Sequence, residues 1–495
     1  MGDTSIMKYF AILLELLSLH GVGLGFPVAT DMEQGETVAT VRAYLDTLEH
    51  EGFSGAVLVQ FQGKVVISNG YGYSDVQHRR KNSTRTVFDI GSITKQFTAA
   101  AIMKLETEGK LSTEDKLSKY FKNVPADKSA ITIHQLLRHS SGLVGTVGRD
   151  YEKITEAAFV DTVMRSPLRF QPGTAFSYSN IGYSLLGMIV EKVSRMPYER
   201  FLYQNLWHPA GMEQTGYKRP DFNGDLIAIG YDNEDRVWGK PTEKLWDEDG
   251  PFWHLKGNGG ILSTAEDMLR WDQALLTDRV LSENARAKMF HPKLRQGEDS
   301  NAYYAYGWDV HRTPRKTTYY WHNGSNGIFY ADFYRFIDEG TTVIVLTNKS
   351  NGLERIGREI TRALFDTAYK PVVPIADNER NRSFTDQVIE IAIQRGAETG
   401  VNELAKAGQG QHLLEERVNR KGYELLQGGS AKQAINVFRL NIQAFPKSAN
   451  TYDSLGEAYL TAGDTTLAVE NYKKSLALDP EIKNAEEVLN RLKGK

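Results

Sequence analysis

The stretch FDIGSITKQF, residues 88–97, decides how this chain is interpreted. It contains Ser92 and, three positions later, Lys95. Because residues i and i+3 share one face of a helix, the Lys95 amine can reach the Ser92 hydroxyl. The N-terminus of a helix also presents free N–H groups and the positive end of a dipole. The spacing is therefore typical of a serine that attacks carbonyl groups, although taken alone it also fits an ordinary solvated helix.

The composition sets wide limits on the class of protein. The chain has 495 residues, of which 41% are hydrophobic and 24% are charged, as in a soluble globular protein of about two to four domains. The net charge is −3 and no block of five or more basic residues occurs, so nucleic acid is not an expected partner. The absence of cysteine excludes disulfides, thiol nucleophiles and thiolate metal sites.

The first 30 residues resemble a secretory signal peptide. Lys8 precedes an apolar run over residues 9–19 that is interrupted by Glu15, and glycines at positions 21, 23 and 25 follow it. We therefore expect an exported protein, periplasmic or secreted. A cytosolic helix and a membrane anchor are the alternatives.

The central segment, residues 31–370, alternates helical and strand patterns. Helical periodicity covers residues 38–51 and 92–109, and strands are predicted at 55–61, 65–68, 327–336 and 341–348. Strands at both ends with helices between them predict an α+β fold, in which one antiparallel sheet is packed by helices.

The C-terminal segment, residues 416–495, repeats itself with a period of 34 residues. The matching pairs are Gly422 and Gly456, Leu426 and Leu460, Gly429 and Gly463, Ala434 and Ala468, Phe438 and Tyr472, and Pro446 and Pro480. This is the period of tetratricopeptide (TPR) helix–turn–helix units, although an ordinary pair of helical hairpins is the alternative. Residues 371–415 are predicted to be a linker with a bridging helix over 385–407, and residues 485–492 a closing helix.

Four further motifs support the serine: ITIHQLLRHSSGL at 131–143, QPGTAFSYSNIGY at 171–183, GGILSTAEDM at 259–268 and WHNGSNG at 321–327. Together with the Ser-x-x-Lys segment they resemble the class C β-lactamases and related penicillin-recognising serine hydrolases, which include DD-peptidases, D-aminopeptidases and esterases. The resemblance covers residues 37–370. It implies an antiparallel sheet flanked by helices plus an all-helical domain.

The resemblance implies the roles of four side chains. Ser92 matches the nucleophile, and Lys95 matches the lysine that shares protons with it. Tyr178 matches the general base and acid, and Asn180 matches the residue that contacts Lys95 and the substrate amide. An ammonium on Lys95 would lower the pKa of Tyr178. The sequence leaves open which group removes the Ser92 proton.

The resemblance also implies a substrate-binding strand. His322, Asn323 and Gly324 replace a Lys-Thr-Gly motif, and the oxyanion hole falls at the backbone N–H groups of Ser92 and Ser325. A histidine is mostly neutral at pH 7, so recognition of a substrate carboxylate should be weaker than with lysine. An esterase or D-aminopeptidase is therefore favoured over an efficient β-lactamase.

Simpler interpretations remain for several residues. Tyr178 also fits a core aromatic, Asn180 a helix N-cap and His322 a packed strand residue. His134 and His139 are interpreted as structural, so no metal and no cofactor are expected. We expect Tyr151, Trp253 and Tyr306 in the walls of the acyl pocket.

The expected partners are a small-molecule or peptide substrate and, at the repeats, a protein; the oligomeric state is left open. An alternative function is a penicillin-binding-like protein without turnover that acts as a binding module through its repeats. A polymer-forming structural role is a third possibility.

Overall fold

The computed structural model describes residues 31–291, 294–296, 302–408, 410–479 and 482–493. The predicted signal peptide, residues 1–30, lies outside the described residues, as does Pro480 of the repeat. Among the helices in the described ranges, none combines the length and apolar character needed to cross a bilayer.

The strands are β1 Gly55–Phe61, β2 Lys64–Tyr71, β3 Tyr73–Asp75, β4 Arg80–Lys81, β5 Phe88–Asp89, β6 Gly230–Tyr231, β7 Val237–Gly239, β8 Leu262–Ser263, β9 Leu294–Arg295, β10 Ala302–Tyr304, β11 Asp309–Arg312, β12 Thr318–Ser325, β13 Tyr330–Phe336 and β14 Thr341–Thr347.

The helices are α1 Asp31–Glu51, α2 Thr94–Thr107, α3 Ile133–Leu137, α4 Glu156–Arg165, α5 Asn180–Ser194, α6 Tyr198–Leu202, α7 His208–Ala210, α8 Ala265–Ala274, α9 Glu283–Phe290, α10 Gly357–Phe365, α11 Glu379–Arg395, α12 Ala397–Leu404, α13 Glu415–Gln427, α14 Ala431–Ala444, α15 Ala449–Thr461, α16 Thr465–Leu478 and α17 Lys483–Lys493.

The central feature is an antiparallel sheet with strand order β2-β1-β14-β13-β12-β11-β10-β9. β1 lies between β2 and β14, with Gly55 opposite Thr347. β13 and β14 are buried along their whole length, which fits strands covered on both faces. The α+β prediction is confirmed.

The two faces of the sheet pack against different helices. On the outer face, α1 and α10 cover Val343 and Val345, and Val41 and Ile360 belong to the same core cluster. On the inner face, residues including Ile344 pack with α2, α5 and α8 in a much larger core. The sheet is therefore a central layer, and α2 lies buried on its inner side.

The C-terminal region is entirely helical in its described elements. The predicted bridging helix over 385–407 is wrong as a single element: α11 ends at Arg395, and Gly396, with a φ of 91°, separates it from α12. A left-handed φ suits glycine and breaks helical hydrogen bonding, so the chain turns there.

The helical hairpins of the repeat are present as α13–α14 and α15–α16. A Cβ atom on Gly422 would lie 2.4 Å from the ring of Phe438, and one on Gly456 would lie 3.1 Å from the ring of Tyr472. The glycines of the 34-residue pattern therefore allow each hairpin to close on its aromatic ring. Ala485 of α17 is buried against the last hairpin.

Candidate active site

Ser92 lies in a short 3₁₀ turn, Gly91–Ile93, that leads into α2. The helix was predicted to begin at residue 92, but the α-helix begins at Thr94. Gly91 adopts a φ of 50°, and its N–H donates to Asp89 Oδ1 at 2.7 Å. A left-handed glycine after a strand end turns the chain sharply, so Ser92 stands at the junction of β5 and α2.

Lys95 is fully buried beside the serine. Its Nζ lies 3.1 Å from Ser92 Oγ and donates to the carbonyl oxygen of Asn258 at 2.8 Å. Asn258 is itself held by its side-chain amide, which donates to Ser184 Oγ at 2.8 Å. Burial lowers the pKa of Lys95 well below 10.5, while the charge of Asp150 acts to raise it. The buried site therefore favours a neutral amine, which can accept a proton.

Tyr178 approaches the pair from the loop before α5. Its ring centroid is 4.8 Å from Lys95 Nζ, and 36% of the residue is exposed while its hydroxyl is surrounded by protein. Burial raises the pKa of Tyr178, and its interaction with Ser92 lowers it less. The expectation that Lys95 would lower this pKa is wrong, because desolvation dominates and also disfavours the ammonium.

The His139 ring packs against the ring of Tyr178. The sequence analysis interpreted His139 as structural and did not include it among the site residues. Its ring centroid lies 4.3 Å from that of Tyr178, and its Nδ1 accepts a hydrogen bond from the N–H of Ser179 at 3.1 Å. It is fully buried, which lowers its pKa well below 6.5. A neutral His139 thus fixes the backbone next to Tyr178. The sequence signal that could have identified His139 as a site residue was the motif that contains it, residues 131–143.

Asn180 is the first residue of α5, and the N-cap is Ser179, whose Oγ accepts from the N–H of Gly182. The N-cap interpretation of Asn180 is therefore wrong. Its Oδ1 is buried and has no hydrogen-bond partner among the described residues. The implied contact with Lys95 is not a hydrogen bond here, because Lys95 donates to Asn258 instead. The free oxygen of Asn180 remains an acceptor for a substrate N–H.

His322 lies on β12 with 1% exposure. Its Nδ1 donates to the carbonyl oxygen of Asn323 at 2.6 Å, so Nε2 accepts from the Tyr304 hydroxyl at 3.0 Å. Burial and the nearby Lys95 lower the pKa of His322 to about 3. The side chain is therefore neutral and provides no positive charge at the position where the related enzymes have lysine.

The segment around Gly324 brings the two expected oxyanion donors together. A Cβ atom on Gly324 would lie 2.8 Å from the N of Ser92, and one on Gly91 would lie 2.5 Å from the N of Ser325. The two glycines thus allow β12 to touch the turn that carries the nucleophile. The N–H groups of Ser92 and Ser325 are neighbours as a result.

Asn323 does not join this group. Side chains alternate along a strand, so Asn323 faces away from His322, and its amide contacts the Tyr330 hydroxyl at 3.5 Å. Of the substrate-binding residues expected on β12, the structure places the backbone of Gly324 and Ser325, but not the Asn323 side chain, at the site.

Asp89 links the two segments that carry the expected oxyanion donors, and it was missed in the sequence. Its carboxylate accepts from the N–H of Gly91 and, at 2.8 Å, from Asn326 Nδ2. Asn326 follows Ser325 and in turn accepts from the N–H of Phe329. Burial raises the pKa of Asp89 to about 6. The only signal was its position just before the nucleophile.

A loop over residues 144–155 lies next to α5 and carries a carboxylate toward the site. The Gly145 carbonyl accepts from the N–H of Asn180 at 2.8 Å, and a Cβ on Gly148 would lie 2.3 Å from the His254 ring. Asp150 is half-buried, has no hydrogen-bond or ion-pair partner among the described residues, and acts electrostatically on Lys95. It is an acidic group that sequence reasoning did not find.

The three aromatic residues expected in the walls of the acyl pocket, Tyr151, Trp253 and Tyr306, have different surroundings in the structure. Tyr151 lies beside Asn326, at the oxyanion end of the site. Trp253 and Tyr306 are buried, and Tyr306 contacts His134. In the described part of the chain, no group of three or more His, Cys, Asp or Glu side chains is arranged to hold a metal ion.

Comparison with known proteins agrees with this geometry. The family model described as Beta-lactamase matches residues 38–366. Penicillin-binding protein 4* of Bacillus subtilis is 32% identical over 335 residues, which is 63% of this chain and 73% of that protein. The crystal structure of a penicillin binding protein from Bacillus halodurans is 26% identical, with a TM-score of 0.56 over 65% of this chain and 98% of that one.

A Beta-Lactamase/D-Alanine Carboxypeptidase from Pseudomonas syringae shares the fold at 18% identity, with a TM-score of 0.57 over 67% of this chain and 99% of that one.

Proposed function

Because the chain belongs to the beta-lactamase family, we propose that it is a serine hydrolase that cleaves ester or amide bonds through an acyl-enzyme on Ser92. The observation that carries the proposal is the distance of 3.1 Å between Lys95 Nζ and Ser92 Oγ. A serine hydroxyl is a weak nucleophile until a base within hydrogen-bond reach takes its proton. Lys95 fits this role, because burial lowers its pKa and so favours the unprotonated amine that can accept a proton.

In the first step, Ser92 Oγ attacks the substrate carbonyl carbon and its proton passes to Lys95 Nζ. The carbonyl oxygen becomes an oxyanion that accepts from the N–H groups of Ser92 and Ser325. One such donor typically contributes about 3–4 kcal/mol to the stability of the transition state.

In the second step, the bond to the leaving group breaks and the leaving group needs a proton. The raised pKa of Tyr178 keeps its hydroxyl protonated, which suits a general acid better than a general base. The proton on Lys95 can replace the one that Tyr178 gives up. Water then attacks the acyl carbon and gives up a proton to Lys95 Nζ. The bond between the acyl carbon and Ser92 Oγ breaks, Ser92 takes the proton back from Lys95, and the acid product leaves.

The charges at the site favour uncharged or cationic substrates. His322 is neutral, and Asp150 is the side chain whose charge acts on Lys95. Among the site residues that the structure describes, a substrate carboxylate would meet no fixed cation, and Asp150 would repel it. We therefore propose esters and amides of D-amino acids with a free ammonium group as substrates, ahead of β-lactams.

The test is mass spectrometry of the purified protein after rapid quenching, with p-nitrophenyl butyrate, D-alanyl p-nitroanilide and a penicillin as substrates. We expect an acyl adduct on Ser92 and release of nitrophenol or nitroaniline. Ser92→Ala should lose both signals. Ser118→Ala, which changes an exposed serine, serves as the matched control.

The outcomes separate the two candidate functions. A stable adduct without turnover would support the penicillin-binding-like module. If the wild-type protein formed no adduct and turned over no substrate, the hydrolase proposal would be wrong.

We also propose that the C-terminal hairpins are tetratricopeptide units that bind a protein partner. The 34-residue offset and the Gly422–Phe438 and Gly456–Tyr472 contacts support this assignment. Affinity capture tests this proposal. The partners captured by the full chain are compared with those captured by a variant that carries substitutions at exposed residues of α13 and α15. The proposal fails if both proteins retain the same partners.

A further inference from the structure

A second concave site lies on the outer face of the sheet, behind the strand that carries His322. It is a groove of about 860 Å³ between α10 and the outer faces of β11 and β12. Its lining includes His311, Arg312, Tyr319, Trp321, Arg358 and Arg362. Because side chains alternate on β12, Tyr319 and Trp321 face this groove, whereas His322 lies on the opposite face, near the ring of Tyr178.

The floor of the groove is a set of aromatic rings that stack on one another. His311 stacks on Tyr319 at 4.9 Å with an interplanar angle of 12°, Tyr319 stacks on Phe336 at 4.9 Å, and Trp321 stacks on Tyr334 at 5.7 Å. The ring faces are therefore occupied by neighbours. The rings therefore offer a ligand their edges. A flat ring cannot stack face to face on covered rings, whereas the CH2 groups of an aliphatic chain need no ring face and pack against the edges by dispersion.

The rim of the groove carries more positive than negative charge: arginines line the groove at four positions, and Asp366 is the one carboxylate among the residues that line it. Arg312, Arg358 and Arg362 have no carboxylate partner within the ranges that the structure describes. A fourth arginine, Arg315, is neutralised by Glu339 at 2.9 Å. Arg358 and Arg362 are one helical turn apart on α10 and both are exposed. An anionic group above the floor would be held by more than one guanidinium.

We propose that this groove binds a single-chain anionic amphiphile, a long-chain carboxylate whose tail lies on the aromatic floor and whose head group meets Arg358 and Arg362. The volume lies in the range of small-molecule sites, which are concave, largely apolar and fixed by a few charged groups. A protein partner would instead use a flatter and wider surface. The site is separate from Ser92 and uses none of its catalytic groups.

The experiment is a fluorescence titration of the full chain, as its Ser92→Ala variant, with dansyl-labelled undecanoic acid. We expect saturable binding. Arg358→Gln with Arg362→Gln should weaken it by about tenfold or more, as loss of charged hydrogen bonds does. Arg85→Gln with Arg165→Gln removes two exposed arginines elsewhere and should leave it unchanged. The methyl ester of the probe should bind about tenfold more weakly.

Three results would overturn the proposal. The first is equal binding of the acid and its ester, and the second is binding that the Arg358 and Arg362 substitutions do not change. The third is absence of fatty-acid binding. If an acidic helical peptide bound the groove where the fatty acid did not, the groove would be a docking surface for protein.

Discussion

Gly324 lies against Ile90 so closely that a Cβ atom on Gly324 would stand 1.9 Å from the Ile90 carbonyl oxygen. A methyl group at this point must push β12 away from the turn that holds Ser92. The distance between the N–H groups of Ser92 and Ser325, the proposed oxyanion donors, therefore depends on the absence of a side chain at position 324.

We predict that Gly324→Ala lowers kcat by about 10²–10³-fold, the loss typical of a missing oxyanion donor. Steady-state kinetics with p-nitrophenyl butyrate would measure it, with thermal unfolding to confirm that the variant is folded. Gly224→Ala is the matched control, since a Cβ there meets only Lys240 Nζ at 4.0 Å. Unchanged kcat in a folded Gly324→Ala protein would contradict the assignment of the oxyanion hole.

Lys95 should matter much more for activity than for stability. We predict that Lys95→Met lowers kcat/KM by about 10²–10⁴-fold, because the general base is lost. The free energy of unfolding should fall by no more than about 1 kcal/mol, because a buried amine is replaced by an apolar chain of similar length. Denaturant unfolding and kinetics measure the two effects.

Lys128→Met provides the control for Lys95, since Lys128 is also buried but pairs with Asp127. It should keep full activity. A Lys95→Met enzyme with normal turnover would show that another group accepts the Ser92 proton.

Asp150 should select for charge on the substrate. We predict that Asp150→Asn lowers kcat/KM for D-alanyl p-nitroanilide by about tenfold, through loss of a charged contact to its ammonium group, and changes that for p-nitrophenyl butyrate little. The charge of Asp150 raises the pKa of Lys95, so its removal should also move the acidic limb of the ester pH–rate profile to lower pH.

Asp161→Asn, which removes an exposed carboxylate on α4, is the control for Asp150. An equal loss for the ester and the anilide would mean that Asp150 acts on the structure of the loop and not on substrate choice.

His322 should make the fold sensitive to acid. Its pKa is about 3 when folded, against about 6.5 in an unfolded chain, so below pH 6.5 protons bind the unfolded state preferentially. Stability from this group is present above pH 6.5 and is lost as the pH falls toward 3. We predict that, from pH 7 to pH 5, the wild-type unfolding free energy falls by about 2 kcal/mol more than that of His322→Gln. Urea titrations measure both free energies. If the unfolding free energies of the wild type and His322→Gln fell by the same amount from pH 7 to pH 5, the prediction that His322 is buried and neutral would be wrong.

The contact between Ser92 and Lys95 was predictable because it follows from local spacing. An interval of three residues places both groups on one helical face, whether the segment begins as a 3₁₀ turn or as an α-helix. The antiparallel sheet was predictable for a similar reason, since strand patterns and their turns are local. Gly396 shows the limit of prediction from local pattern. A glycine within a helical pattern can either be tolerated or end the helix. The backbone angle that shows that the helix ends here, a φ of 91° at Gly396, is known only from the structure.

The electrostatics of the site could not be predicted in the same way. The pKa of Tyr178 depends on burial, and burial depends on segments far apart in the chain, such as the strands that carry Tyr304 and His322. Asp150 and Asp89 are single acidic residues without a distinctive pattern, and they became recognisable only when folding placed them beside Lys95 and Asn326.

The position of β1 in the sheet has a consequence for synthesis on the ribosome. Gly55 pairs with Thr347, so the central pair of strands cannot form until almost 300 further residues have been translated, which takes roughly 15–60 s at ordinary elongation rates. During that interval the hairpin of β1 and β2 exposes an apolar strand edge that has no partner. The nascent chain is thus most exposed to aggregation just before β14 is made, and chaperones that hold extended apolar segments would act on this hairpin.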